Sequence, residues 1–340
     1  MTISQQSPQL IVVANRAPFR HEWGADGRPV ARRVPGGLVH AVEPLMRANG
    51  GVWVAQGQGS ADRAATEFRD GLRVPAEDPR YRLRRVWLEP DEVRGYYDGF
   101  ANEALWPLCH QVHTRPIFRP ADFEAYWTVN SRFAWAVHEE AVDERPIVFV
   151  QDYHLALAPM FIRERLPQST IAAFWHIPWP HWRSFEICPW SRQLVLGMLE
   201  SNLVGFQTPT DCANFLETAE RVLHVGADHD EQAIAAGLGQ LREHERAAQF
   251  GMRFEQPLDC EQLLLDALGV VEPIDTHHEP RLGRQPQFAE HALATDTDRR
   301  GPFGDRMRPG DRCGIRPHDD AAAVVIDRCL LYTSPSPRDS

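Results

Sequence analysis

The sequence predicts an α/β fold: a Rossmann-like, doubly wound and mainly parallel sheet. Three observations predict it. Short apolar runs recur along residues 10–207, several of them are apolar on both faces, and helix-compatible segments lie between them. A strand that is apolar on both faces needs cover on both sides, which a parallel sheet wrapped by helices supplies. Alternating strands and helices imply right-handed crossovers, with ligands outside the carboxyl ends of the strands.

The strand-like runs are LIVVA (10–14), GVWVA (51–55), RRVWL (84–88), PIVFVQ (146–151), TIAAFW (170–175) and LVGFQ (203–207). Helical patterns fill the gaps: LVHAVEPLMRA, FEAYWTVNSRFAWAVHEEAV, ALAPMFIRERL, SRQLVLGMLES and PTDCANFLETAERVL. Thr208 or Thr210 is the candidate cap of the last of these. Residues 1–222 therefore read as one lobe. Residues 223–272 hold two amphipathic stretches that suit a helical extension. Residues 273–340 are rich in Pro, Gly, Arg, Asp and His, and such a composition predicts a disordered tail. The last twelve residues, CLLYTSPSPRDS, resemble the translated read-through of a sequencing adaptor, so a non-native origin is expected for the tail.

Composition narrows the function classes. With 340 residues, 43% of them hydrophobic and 24% charged, the chain can bury a core. The formal net charge of −11 gains little from phosphate neutralisation, so nucleic acid is not an expected partner. All 36 basic residues are arginine, which excludes any mechanism that needs a lysine of this chain. The six cysteines form no CxxC pair, which suggests neither a zinc framework nor a redox motif and fits a reducing, cytoplasmic setting. Leu10–Ala14 is too short for a signal-peptide core or a membrane span, and no membrane partner is expected.

The chemistry-bearing motifs fall at strand ends. Asn15-Arg16 follows the first strand, and an arginine there offers a fork for phosphate. Gly36-Gly37 precedes a helix, where backbone N–H groups can approach a diphosphate. Tyr96-Tyr97-Asp98-Gly99-Phe100 and Trp106-Pro107 bring aromatics that can stack on a sugar or donate hydrogen bonds. Asp152, in Gln151-Asp152-Tyr153-His154, sits where a carboxylate can bind hydroxyls. His176, in HIPWP, lies in a loop stiffened by two prolines. Each has a bland alternative: a surface salt bridge for Arg16, an ordinary turn for the glycines, core packing for the aromatics, a structural histidine for His154. His154, His176 and His181 could also supply three metal ligands, although no metal is the preferred reading.

The order of these motifs resembles the trehalose-6-phosphate synthase family of retaining nucleotide-sugar glycosyltransferases, over residues 10 to about 222. NR, GGL, YYxxFxNxxLWPxxH, YWTVNSRFA, QDYH, HIPWP and GFQT follow one another as in that family. The resemblance implies the N-terminal lobe of a GT-B fold. It implies transfer of glucose from UDP-glucose, or another nucleotide-glucose, to glucose-6-phosphate with retention, and needs no cofactor. Arg16, Tyr97 and Trp106 match positions that hold the acceptor. Gly36 and Gly37 match the donor-binding glycines, and Asp152 and His176 match residues facing the reacting sugars. Where the family often has a Gly-Trp pair, this chain reads Ala55-Gln56-Gly57. The second lobe's donor-binding Arg, Lys and acidic loop have no counterpart, so the 340 residues are expected to be inactive alone. Homo-oligomer formation by the intact parent is left open. The rival readings are a glucosylglycerol-phosphate synthase-like enzyme, which changes the acceptor, and a non-catalytic sugar-phosphate-binding module.

Overall fold

The computed structural model describes residues 8–224 and 322–325, with backbone alone for 223–224 and 322–325. Strand β1 (Leu10–Ala14) leads into a hairpin, β2 (Phe19–Trp23) and β3 (Pro29–Arg33). Then come helix α1 (Gly37–Asn49), β4 (Val52–Gln56), α2 (Asp62–Ala65), β5 (Gly71–Val74) and β6 (Tyr81–Val86). A helical arm follows: α3 (Pro90–Val93), a π-helix over Arg94–Leu105, α4 (Trp106–His110) and α5 (Pro120–Glu140). The chain continues through β7 (Ile147–Gln151), α6 (Ala158–Arg165), β8 (Thr170–Trp175), α7 (Trp182–Phe185), α8 (Ser191–Leu199), β9 (Leu203–Phe206) and α9 (Pro209–His224). Ala322–Val325 forms β10.

The main sheet has the order β10-β9-β8-β7-β1-β4-β6-β5. Every neighbouring pair is parallel except β5 with β6. The expected single sheet holding LIVVA, PIVFV and TIAAF is therefore present, as β1, β7 and β8 side by side. Every residue of β1, β4 and β7 is buried, which is the two-sided cover that their apolar runs called for. Leu10, Val12 and Ala14 share a core with Val39, Val42 and Met46 of α1. Side chains alternate along a strand, so Ile11 and Val13 turn to the other face, where α5 packs against β1, β4 and β6.

Three features depart from the sequence reading. The strand expected at 84–88 runs instead over Tyr81–Val86, because its arginines find partners: Arg82 and Arg84 meet Glu140 and Glu139, and Arg85 meets Asp62. The β2–β3 hairpin went unread because β3 is almost wholly exposed and shows no apolar run; its Asp26-Gly27 turn was the available signal. Tyr96, grouped with exposed aromatics, is fully buried and donates its hydroxyl hydrogen bond to Asn15 Oδ1 at 3.2 Å.

The last turn of the π-helix has a local cause. Pro107 has no N–H to give to the carbonyl of Glu103, which accepts from Ile117 N instead, at 2.9 Å. The wide turn closes on the N–H of Trp106, which bonds Ala101 O. Gly95 and Gly99 let this arm lie close on α5: a Cβ on Gly95 would stand 2.7 Å from the Ala125 Cβ. Of the expectations for residues 225–340, all but the four residues of β10 lie outside the described residues.

Candidate active site at the sheet's switch point

The chain leaves β1 towards β4 on one side and returns to β7 on the other, so the crossover direction reverses between β1 and β7. Ligands of open α/β sheets gather at such a point, beyond the carboxyl ends. The register pairs Ala14 with Gln151 and Gln151 with Phe174. The residues that follow therefore emerge along one edge: Asn15 and Arg16 from β1, Asp152 from β7, His176 from β8.

Asp152 is the centre of this edge. Its backbone has φ 76°, ψ 164°, a region few non-glycine residues occupy and one that costs ~1–3 kcal/mol. Its N–H donates to Phe174 O at 2.7 Å, which holds that conformation. Its Oδ1 accepts from Tyr153 N at 2.8 Å and from His176 N at 3.2 Å. Its Oδ2 stands 3.6 Å from His154 Nδ1. Burial raises the Asp152 pKa, but His154, the charge of His176 and the Tyr153 N–H outweigh it, and the net shift is downward. The group is a carboxylate, aimed at a half-open edge, through the neutral pH range.

His176 is fixed at both ends. Its backbone N–H is on Asp152, and its Nε2 lies 2.7 Å from Gln151 Oε1. His154 lies between two tyrosines, with ring centroids 5.3 Å from Tyr97, nearly parallel, and 4.0 Å from Tyr153. Tyr153 donates its hydroxyl to Asn102 Oδ1 at 3.0 Å, which ties the π-helix to the Asp152 turn. From below, α5 braces the same turn. Tyr126 donates its hydroxyl to Tyr153 O at 2.6 Å and accepts from Ala156 N at 3.0 Å. Asn130 donates to His154 O and accepts from Leu157 N, each at 3.1 Å.

Arg16 is exposed, next to the buried Asn15. Burial drives the Tyr153 phenol pKa far up, and the charge of Arg16 works in the opposite direction. Trp106 begins α4, half-buried, with its ring stacked 4.1 Å from His110. Gly36 and Gly37 open α1, whose first turn has neither an acidic residue nor a side-chain cap. A Cβ on Gly36 would meet nothing within 4 Å, so packing within the lobe does not require that glycine. Of the seven expected site residues, Asp152 and His176 are bonded directly and Tyr97 reaches them through His154, while Arg16 emerges from β1 at the same end of the sheet, its charge acting on the Tyr153 phenol. Trp106, Gly36 and Gly37 stand at adjoining segments and are not bonded to Asp152.

His181 is elsewhere: its Nδ1 accepts from Arg183 N and its Nε2 faces Glu217. Among the described residues no three His, Cys, Asp or Glu side chains gather as a metal site. Cys109 and Cys188 are buried, and burial pushes both thiols up, Cys188 to about 12, which removes them as nucleophiles. The sequence reading left out Gln151, Tyr153 and Asn102. Gln151 carried a signal, a polar side chain closing an apolar run, and it is wholly buried with Nε2 unpartnered. Asn15 Nδ2 and His154 Nε2 are likewise buried and unpartnered, so three unused polar nitrogens converge on the switch point.

Comparison with known proteins bears on this edge. The family description Glycosyltransferase family 20 matches residues 8–242. The trehalose-6-phosphate synthase of Mycobacterium sp. (strain KMS) is 36% identical over 254 residues, covering 75% of this chain and 50% of that protein. That of Mycobacterium ulcerans (strain Agy99) is 40% identical over 219 residues, covering 64% of this chain and 42% of that protein. The crystal structure of a UDP-forming α,α-trehalose-phosphate synthase from Burkholderia vietnamiensis superposes with a TM-score of 0.52 at 27% identity, over 66% of this chain and 46% of that one. The chain spans about half the length of the curated relatives it matches.

Proposed function

Because the chain belongs to glycosyltransferase family 20, we propose that its described lobe is the acceptor side of an α,α-trehalose-phosphate synthase. The reaction moves glucose from UDP-glucose, or another nucleotide-glucose, to glucose-6-phosphate with retention, in the cytoplasm. In balance, the donor's C1–O bond to the diphosphate breaks, a C1–O bond to an acceptor hydroxyl forms on the same face, and the hydroxyl proton leaves with the nucleotide.

One observation carries this reading: the ionised Asp152, locked in place by the His176 and Tyr153 N–H groups, stands at the switch point, on the strand-end edge from which Arg16 also emerges. A carboxylate accepts hydrogen bonds from sugar hydroxyls, and a guanidinium takes a phosphate in a bidentate grip. The Tyr97–His154 stack gives the sugar a wall. The uncapped start of α1 at Gly37 supplies N–H groups and a dipole end for the donor diphosphate. The names of the relatives and the UDP-forming Burkholderia structure support this choice of sugars.

The test is calorimetric titration of the 340-residue chain with glucose-6-phosphate, with glycerol-3-phosphate as competitor. Saturable binding that Arg16→Ala weakens about tenfold or more is expected, as for loss of a charge-assisted pair. Tighter binding of glycerol-3-phosphate would move the assignment to a glucosylglycerol-phosphate synthase. Binding unaffected by Arg16→Ala would remove the phosphate role from that residue.

A further inference from the structure

Asp62, the first residue of α2, has a side chain with no exposed surface. Its Oδ1 accepts from His21 N at 2.7 Å and from Arg85 Nη2 at 2.8 Å, and lies 3.3 Å from His21 Nδ1. Its Oδ2 accepts from Gln58 N at 2.9 Å and Gly59 N at 2.7 Å. Arg85 is equally sealed, and the same Nη2 reaches Phe19 O at 2.7 Å. A buried ion pair is weak evidence for stability, because desolvation offsets the attraction. What this one does is geometric: it joins two segments that leave the carboxyl ends of neighbouring strands.

The first segment follows β1 and carries Asn15, Arg16, Phe19 and His21. The second follows β4 and carries Gln56, Gln58 and Gly59. They also meet directly, since Gln56 N donates to Asn15 O at 3.3 Å, and within the second segment Gln58 Nε2 donates to Gln56 Oε1 at 3.0 Å. The second loop has no slack. A Cβ on Gly59 would stand 2.3 Å from His21 O, and one on Gly57 would stand 2.2 Å from the Trp87 ring. The loop is thus wedged between Trp87 and the hairpin, with the Asp62 carboxylate as its fastening.

We propose that Asp62 is a positioning residue of the sugar-phosphate site. It clamps the segment that carries Arg16 to the loop that follows β4, and so sets where the guanidinium stands at the strand-end edge. This rests on the glycosyltransferase reading above. Asp62→Asn keeps the size of the group, but an amide turns an NH2 towards N–H donors that a carboxylate satisfied. Two of the four hydrogen bonds are then opposed, and the two segments separate.

The experiment uses the 340-residue chain, with glucose-6-phosphate and inorganic phosphate as probes. Affinity is measured by calorimetry, the Arg16 side-chain Nε–H resonance by NMR, and folding by circular dichroism. For folded Asp62→Asn the expected result is about a tenfold or greater loss of glucose-6-phosphate affinity, a smaller loss for phosphate, and an Arg16 resonance that no longer moves on titration. Should that variant not fold, Gly59→Ala drives the loop off the hairpin with the carboxylate retained, and the same losses are expected. Folded variants that bind as wild type, with Arg16→Ala defective, overturn the positioning role and leave the glycosyltransferase reading standing. Wild-type protein that binds no glucose-6-phosphate overturns that reading and this inference with it.

Discussion

At the scale of single residues, Asp152 decides how the edge responds to pH. Its pKa is lowered from 3.8 because His154, His176 and the Tyr153 N–H outweigh the cost of burial. A group whose folded pKa is depressed contributes stability that is fully present above the unfolded value and is lost as pH falls through the folded one. Acid should therefore leave both the fold's gain from Asp152 and its grip on a sugar hydroxyl intact down to about pH 4. The carbon resonance of the Asp152 carboxyl, followed by NMR, should titrate below 3.8; a midpoint above that value would show that burial dominates after all. The place of Asp152 at a strand end was legible in the sequence because the polar pair Gln151-Asp152 closes an apolar run. His154 was not, since a histidine after a tyrosine looks the same whether it fills space or faces the carboxylate. The Tyr97 stack and the 3.6 Å approach to Oδ2 come from elements far apart in the chain.

At the scale of elements, the candidate site's edge is carried by strands but held in place by α5. Tyr126 is the tightest link, because one hydroxyl both donates to Tyr153 O and accepts from Ala156 N. Tyr126→Phe removes it and leaves two buried backbone groups unpaired, at a cost of ~1–3 kcal/mol. For a lobe of this size that lowers the thermal midpoint by about 2–4 °C per kcal/mol. The Tyr153–Leu155 turn should also gain hydrogen exchange ahead of the rest of the lobe. An unchanged midpoint with unchanged exchange would mean that the turn stands without α5. The start of β6 was hidden by its arginines, whereas five of the parallel strands, β1, β4, β7, β8 and β9, were readable from their apolar runs. The hairpin and the π-helix were not, for different reasons. β3 is solvent-exposed and owes nothing to an apolar run, while the wide turn depends on where Pro107 strands the carbonyl of Glu103, a matter of partners rather than propensity. The cap of α9 shows the opposite case. Thr208 was one of two candidates, and it is the one whose hydroxyl oxygen accepts from Asp211 N, at 3.2 Å, while donating to Asp211 Oδ2.

At the scale of the whole molecule, the proposed function makes the described lobe one side of a two-substrate reaction. Retaining transfer needs the donor glucose held beside the acceptor, with its diphosphate stabilised as it leaves, and that stabilisation is often the largest catalytic contribution. On the proposed reading the start of α1 would serve this purpose, and the chain has no lysine with which to add to it. The family match ends at residue 242, and the chain spans half of the Mycobacterium relative. Positioning of two reactants contributes ~7–11 kcal/mol, and it is forfeited when one of them is not held. We therefore expect the 340-residue protein, given UDP-glucose and glucose-6-phosphate, to release no UDP above background while still binding glucose-6-phosphate. A chimera that joins residues 1–222 to the second half of the Mycobacterium enzyme should restore release, and Arg16→Ala should abolish it again. If the chain alone releases UDP in an Arg16-dependent way, the groups that hold the donor lie within these 340 residues, and the one-sided account of the lobe is wrong.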